Sequence, residues 1–181
     1  MDHKIKPKRC KVCQTIFEPS RPLQSVCAWS CAKAHADKLK ANKAKQEKKV
    51  LKEKLKTLSE YEADAKKAFQ KWIRLRDKDL PCISCDNSNT NDWAGGHFYS
   101  AGMYSGLMFD ERNCHKQCNT HCNKHLSGNL LEYRKGLIKR YGNAFVEDLD
   151  NISNSKRDYK YTKAELIAKK LKYDILIKEM K

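Results

Sequence analysis

Eight of the nine cysteines stand in four close pairs, and this pairing constrains the chain more than any other feature of its sequence. The pairs are Cys10/Cys13, Cys27/Cys31, Cys82/Cys85 and Cys118/Cys122, with two, three, two and three residues between their thiols. Two such pairs supply the four thiolates of a structural Zn²⁺ site. An oxidising compartment would turn the same residues into disulfides. However, Met1 to Lys11 is polar and basic rather than a signal-peptide core, and no run approaches the ~20 apolar residues of a membrane span. The expectation is therefore a cytoplasmic chain with reduced thiols that bind metal. Cys114 is left over, as a buried or spare thiol.

Composition agrees. Of the 181 residues, 33% are charged and 40% hydrophobic, and mean hydropathy is −0.84. That is thin material for one large core, and small domains with thin cores lean on metals. The net charge of +16 points to a polyanionic partner, nucleic acid before others. No lipidation signal or basic amphipathic segment with large aromatics supports a membrane partner. The competing account of the charge is solvated, Lys-rich helix surface.

In chain order, residues 1–31 form a four-cysteine zinc module. Its ligands are Cys10, Cys13, Cys27 and Cys31, with 13 residues between the pairs. A Pro-bearing hairpin with Pro19 and Pro22 links them, and Phe17 and Trp29 are expected to cover the site. His3 and His35 are spare imidazoles that four thiols make unnecessary. Residues 32–79 read as a basic helical linker, free of Gly and Pro. A capping box at Ser59 and Glu62 starts a second helix near Tyr61. Its stripe of Tyr61, Ala65, Phe69, Trp72, Ile73 and Leu75 should pack on the domain C-terminal to it. The earlier stripe of Leu39, Val50, Leu51, Leu55 and Leu58 is thin, so that helix is exposed or pairs with another chain. Its Lys run, 38–56, lies along phosphates or simply faces water.

Residues 80–149 form a central domain, and 150–181 a C-terminal helix. Pro81 ends the linker helix. Gly95 to Tyr99 reads as a strand carrying His97, 102–109 as a loop and second strand, and the second thiol pair as the opening of a helix. Helix resumes over 129–149 with Gly142 as a C-cap. After a polar loop, a capping box at Thr162 and Glu165 opens the terminal helix, which runs to about Glu179. Its Leu166, Ile167, Leu171, Ile175 and Leu176 face the core or a dimer partner. The fold class is α+β, mostly α-helical.

Phosphodiester hydrolysis needs a base to activate water and a divalent ion to offset phosphate charge. A hairpin followed by a helix can supply both, if the strand carries a His, the loop an Asn and the helix a polar ligand. His97, Asn113, Asn123 and His125 occur in that order, between the two thiol pairs or just after them. Each has an ordinary alternative: a structural His or zinc ligand at 97, a turn cap at 113, a helix cap at 123, a surface His at 125. Their joint order, not any single member, carries the signal.

Five segments resemble one family: Asp79–Cys85 (DLPCISC), Gly95–Phe98 (GGHF), Glu111–Cys118 (ERNCHKQC), Cys122–Asn129 (CNKHLSGN) and Leu130–Gly142 (LLEYRKGLIKRYG). The resemblance is to the phage lambda NinG (Rap) family of recombination endonucleases, within the zinc-stapled HNH (ββα-metal) superfamily. The leading RCKVC and its later thiol pair match that family's N-terminal zinc module. The resemblance implies a metal-dependent endonuclease for branched DNA, such as Holliday junctions and D-loops, encoded by a phage or prophage and acting in the bacterial host. It further implies His97 as general base, Asn113 as the residue positioning its imidazole, and Asn123 as ligand of a catalytic Mg²⁺ or Mn²⁺. His125 is the next candidate ligand, and His115 a contact to metal or phosphate. Cys82, Cys85, Cys118 and Cys122 would hold a second structural Zn²⁺.

Two departures bear on this expectation. The last thiol pair is spaced by three residues, so His121 competes with Cys122 as fourth ligand, with Cys122 preferred. Many HNH enzymes place an acidic metal ligand directly before the His, where this chain has Gly96. Asp92 is the nearest upstream carboxylate and the substitute candidate. The alternative function is a non-catalytic, zinc-binding nucleic-acid adaptor. A third is a scaffold whose charge serves protein partners. A homodimer would suit the two-fold character of a junction.

Overall fold

A computed structural model describes residues 6–180. The chain divides into two compact units, Met1–Lys56 and Thr57–Lys181. The architecture is α+β and mostly helical, with two small two-stranded sheets. Among the described residues, no helix is long and apolar enough to cross a membrane.

In the first unit, β1 (Lys8–Arg9) pairs antiparallel with β2 (Ile16–Phe17). The turn between them carries Cys10 and Cys13, closed by Cys10 N–H donating to Thr15 O at 2.9 Å. Gln14 takes a left-handed φ of 63° there. The hairpin thus carries the first thiol pair, and Pro19 and Pro22 follow it rather than forming it. Helix α1 (Trp29–Lys54) takes Cys31 into its first turn. It buries no residue, as the thin stripe predicted. Trp29 does not cover the cysteines: it is 78% exposed, with Lys33 Nζ 5.7 Å from its ring centroid. His35 lies outside the thiol cluster, and His3 lies outside the described residues.

In the second unit, α2 (Leu58–Arg76) is capped two residues earlier than the sequence suggested. Thr57, not Ser59, is the cap: its Oγ1 accepts from Glu60 N–H at 3.3 Å, and Glu60 Oε2 accepts from Thr57 N–H at 2.8 Å. Both pairs fit the capping-box pattern. The earlier start wins because buried Tyr61 must already be helical to stand in line with Ala65, Phe69, Trp72 and Ile73. This stripe meets Leu166, Tyr173 and Ile177 of α5 (Lys163–Glu179), together with Met108 and Phe109. The Thr162/Glu165 capping box opens α5 as predicted. Its buried face is nevertheless rotated from expectation, because the large ring of Tyr173 takes the core position. Ile167, Leu171 and Ile175 stay exposed.

The second sheet is a hairpin of β3 (Trp93–His97) and β4 (Cys114–Cys118), with Gly96 opposite His115 and His97 opposite Cys114. The second strand therefore lies at 114–118, not within 102–109. The apolar Leu107, Met108 and Phe109 are buried in and just after a 3₁₀ turn, Ser105–Leu107. The polar CHKQC segment is buried instead, since most of its polar groups find partners; Gln117 Oε1 is the exception, buried without one. Asp77 Oδ2 accepts from Lys116 N–H at 2.9 Å, and Lys116 Nζ donates to Lys78 O at 2.8 Å. Arg76 grips Asp77 at 2.6 and 2.9 Å and donates to the carbonyls of Glu111 and Cys114, tying the end of α2 to β4. Burial works against the Asp77 charge, but Arg76 outweighs it and holds the carboxyl below its ordinary range.

A π-helical turn (Asn119–His125) follows β4, then α3 (Leu130–Tyr141) and α4 (Asn143–Ser153). The helix predicted over 129–149 is thus broken at Gly142, whose φ of 87° suits glycine. The polar loop expected next gives up its first part to the rest of α4. Val146 and Leu149 of α4 pack with Ile83, Phe98, Tyr133 and Leu137 in a second core.

Candidate metal centres and cleft

Two thiol clusters form, each with all four sulfurs within 4.8 Å of one another: Cys10, Cys13, Cys27, Cys31 and Cys82, Cys85, Cys118, Cys122. Zn–S bonds of about 2.3 Å in a tetrahedron put sulfurs roughly 3.8 Å apart. The sulfurs of Cys13 and Cys27 are 3.4 Å apart, and those of Cys27 and Cys31 3.7 Å. In the second cluster, Cys82 to Cys122 is 3.9 Å and Cys85 to Cys118 is 3.7 Å. Backbone N–H groups point at the sulfurs, from Val12 to Cys10 at 3.5 Å and from Cys118 to Cys82 at 3.3 Å. The donor set and spacing fit structural zinc, and both clusters can hold a metal ion. Cys122, not His121, completes the second: the three-residue spacing is absorbed by the wide π-helical turn, which buries Cys122 and leaves His121 exposed. Cys114 is buried in the α2/α5 core, where burial pushes its thiol far up.

Beside the second cluster, a cleft of about 640 Å³ opens along β3. His97, Asn123 and Arg134 all line it. His97 sits against Phe69, ring centroids 6.0 Å apart. Its Nε2 lies 2.9 Å from Met108 O. A carbonyl can only accept, so Nε2 carries the proton and Nδ1 keeps its lone pair. Burial pulls the His97 pKa down, against the Met108 bond and with help from Lys66, so the ring stays neutral near pH 7.

Asn113 does not touch the imidazole, contrary to its expected role. It is fully buried, and its side chain staples backbone. Its Oδ1 accepts from Tyr99 N–H at 2.8 Å, while Nδ2 donates to Tyr99 O at 2.9 Å and Leu107 O at 3.1 Å. It thereby fixes the chain on both sides of His97's contacts: the exit of β3 and the residue before Met108. His115 is also not a site residue. It is buried, with Nδ1 3.2 Å from the Tyr133 hydroxyl. Burial, with Arg76 adding, pulls its pKa to about 3.

Asn123, from the π-helical turn, reaches the cleft, whereas His125 is exposed and outside its lining. Asp92 lies at the end of β3 opposite His97. It accepts from Asn119 Nδ2 at 2.9 Å, from Thr120 N–H at 3.0 Å and from the Thr120 hydroxyl, so it caps the π-helical turn. Five residues of strand put it roughly 16 Å from His97. Gly96 has no room for an acid: a Cβ there would sit 2.2 Å from Gln117 Oε1. Gln117 cannot swing aside freely, because its Nε2 donates to Ser84 Oγ at 2.7 Å and Gly128 O at 2.6 Å. No carboxylate lines the cleft among the described residues. The protein groups alone therefore do not fit a hard dication, which favours carboxylate oxygens.

Sequence reasoning passed over Arg134. It projects from α3 into the cleft and is held end-on by Asp150 of α4 at 3.1 and 2.6 Å. Arg134 in turn holds the Asp150 carboxyl below its usual range, and the Tyr99 hydroxyl donates to the same carboxylate. Nothing local distinguishes Arg134 from the other cations of α3; only the packing of α4 does.

These features define an α+β protein with two four-thiol clusters that can hold metal ions and a largely apolar cleft lined by His97 and Arg134. The family model described as "Bacteriophage Lambda NinG protein" matches residues 2–181. Curated relatives called "Protein ninG" include that of Salmonella phage P22, 36% identical, covering 96% of this chain and 94% of the relative. Those of Escherichia phage 933W and Escherichia phage lambda are 35% and 34% identical; each covers 96% of this chain, and 94% and 93% of the relative. No solved structure matches the chain. The chain belongs to the NinG family.

Proposed function

We propose that the chain is a structure-selective DNA endonuclease of HNH type, acting on branched recombination intermediates such as Holliday junctions and D-loops. The setting would be phage or prophage recombination in the cytoplasm of a bacterial host. The observation that carries the reading is His97: a half-buried, neutral imidazole on a hairpin strand, in a cleft, with Nε2–H committed to Met108 O. That tautomer leaves Nδ1 to take a proton from water. The water oxygen would bond to phosphorus, the P–O3′ bond would break, and the leaving oxygen would take a proton from solvent. On this reading the hairpin, the Asn113 staple and the π-helical turn beside the four-thiol cluster would serve as its zinc-stapled ββα unit. The catalytic Mg²⁺ or Mn²⁺ of such enzymes would find Asn123 as its protein donor here, completed by water and substrate phosphate. Net charge +16 supplies sequence-independent backbone contacts, and the exposed Ile167, Leu171 and Ile175 of α5 would serve a homodimer.

The missing carboxylate favours a second reading, a zinc-binding nucleic-acid adaptor that grips without cutting. One experiment separates them. Purified protein is incubated with labelled four-way junction, D-loop and linear duplex in Mg²⁺, Mn²⁺ or EDTA, beside His97→Ala of equal zinc content. Metal-dependent cutting of branched DNA, lost in His97→Ala, is expected. Tight binding without cutting in any metal refutes the nuclease and leaves the adaptor. Cutting that survives in His97→Ala removes His97 from the role of base.

A further inference from the structure

We propose that the cleft beside His97 receives one unstacked nucleotide of DNA, its base on an apolar shelf of Met103, Tyr104, Leu130 and Leu131 and its phosphate on Arg134. All five line the cleft with His97. Met103, Leu130 and Leu131 are 56%, 49% and 80% exposed. A single exposed apolar residue is ordinary, but three bordering one cleft call for an apolar occupant. The volume, about 640 Å³, lies in the range of small-ligand sites and exceeds what one base needs.

The occupant must also suit a strongly basic chain. Continuous duplex shows phosphates and groove edges, while its base faces are hidden in the stack. Only a base freed at a branch, gap or end combines an apolar face with an attached phosphate, and such bases bind platforms of this kind. Tyr104 is held ready for stacking. Arg157 donates to its hydroxyl at 2.9 Å with the guanidinium 4.8 Å from the ring centroid, and Tyr99 packs edge-on at 4.8 Å. Arg134 is likewise fixed, because Asp150 engages both its terminal nitrogens. Guanidinium carries five N–H donors, so this leaves three for a phosphate. The shelf and the Arg would then make selection of branched DNA a property of one nucleotide's fit, rather than of overall basic charge.

The inference rests on the preceding reading only for DNA as the polymer, and its test needs no cleavage. A three-way junction and a flap carry 2-aminopurine at an unpaired branch position, and a fully paired duplex of the same length is the reference. All are titrated with full-length protein without added divalent ion. Wild type should bind the branched substrates at least about tenfold more tightly than duplex, with a change in 2-aminopurine emission. The Met103→Ala/Leu131→Ala protein should bring that preference to within about twofold and abolish the emission change. Both side chains are exposed, so circular dichroism and zinc content check that the variant folds as wild type. Arg134→Gln, which removes the cation itself, should weaken branched binding, more at low than at high salt. A branch preference unchanged in the shelf variant, or no emission change in wild type, overturns the proposal. A protein that shows shelf-dependent branch binding yet never cuts supports it while refuting the nuclease.

Discussion

Replacing Gly136 by alanine tests how tightly α3 is locked onto the second thiol cluster. A Cβ at 136 would lie 1.8 Å from Ile83 O and 3.0 Å from Ile83 C. Ordinary contact requires a retreat of roughly 1.5 Å. Ile83 cannot yield easily: it is buried, its N–H donates to Lys116 O at 3.0 Å, and it stands between Cys82 and Cys85. Alanine gains about 1 kcal/mol in helix propensity. Overpacking against fixed backbone costs about 1–3 kcal/mol, at times more, and here the strain passes directly to Cys82 and Cys85 of the second thiol cluster. The expected net loss is about 2 kcal/mol, or about 8 °C in the melting of the Thr57–Lys181 unit. Thermal circular dichroism with zinc determination measures it. Gly102→Ala is the control, since a Cβ there meets nothing within 4 Å; it should stay within about 0.5 kcal/mol of wild type. A Gly136→Ala protein that melts at or above wild type with full zinc content would refute the close approach of α3 to the knuckle.

Stability should fall with acid between pH 6.5 and about 3, because unfolded His115 takes up a proton that the buried ring, with Arg76 nearby, refuses. The slope contributed is up to about 1.4 kcal/mol per pH unit, and His115→Gln should flatten it in urea titrations; an unchanged slope would remove His115 as its source. Asn113→Ala strands Tyr99 N–H, Tyr99 O and Leu107 O, for a cost near ~3 kcal/mol. A urea midpoint equal to wild type would show that the staple contributes nothing. Mercurial release of zinc should give two ions per chain from wild type and Cys114→Ala, and one from Cys85→Ser; a Cys114→Ala protein that releases only one would redraw the second ligand set.

Much was legible in the chain because its signals are local. Thiol pairs at fixed spacing select a tetrahedral metal whatever surrounds them, and both predicted four-cysteine sets assemble. The stripe of α2 and the box at Thr162 are periodic, short-range patterns that tertiary context had no reason to override. The rest failed where burial inverted the usual meaning of polarity. The second thiol pair read as the opening of a helix, yet CHKQC is a buried strand, because Asp77, Lys78, Ser84 and Tyr133 meet most of its polar groups. Leu107, Met108 and Phe109 looked like a strand, yet they fill a core beneath a turn.

The sequence by itself determined the two four-cysteine clusters, the helical majority, the net positive charge and the presence of a His on a glycine-rich strand. Only the tertiary structure decided what stands around that His. It brought Asn123 and Arg134 to the cleft from two different elements and turned Asn113 into a backbone staple. It also kept Asp92 and His125 away and filled the space before His97 with Gln117. The physical reason is range. Metal spacing and helix periodicity act within a few residues, whereas the cleft is set by where α3 and α4 pack against the hairpin. That packing depends on close approaches, such as Gly136 on Ile83, that no local pattern encodes.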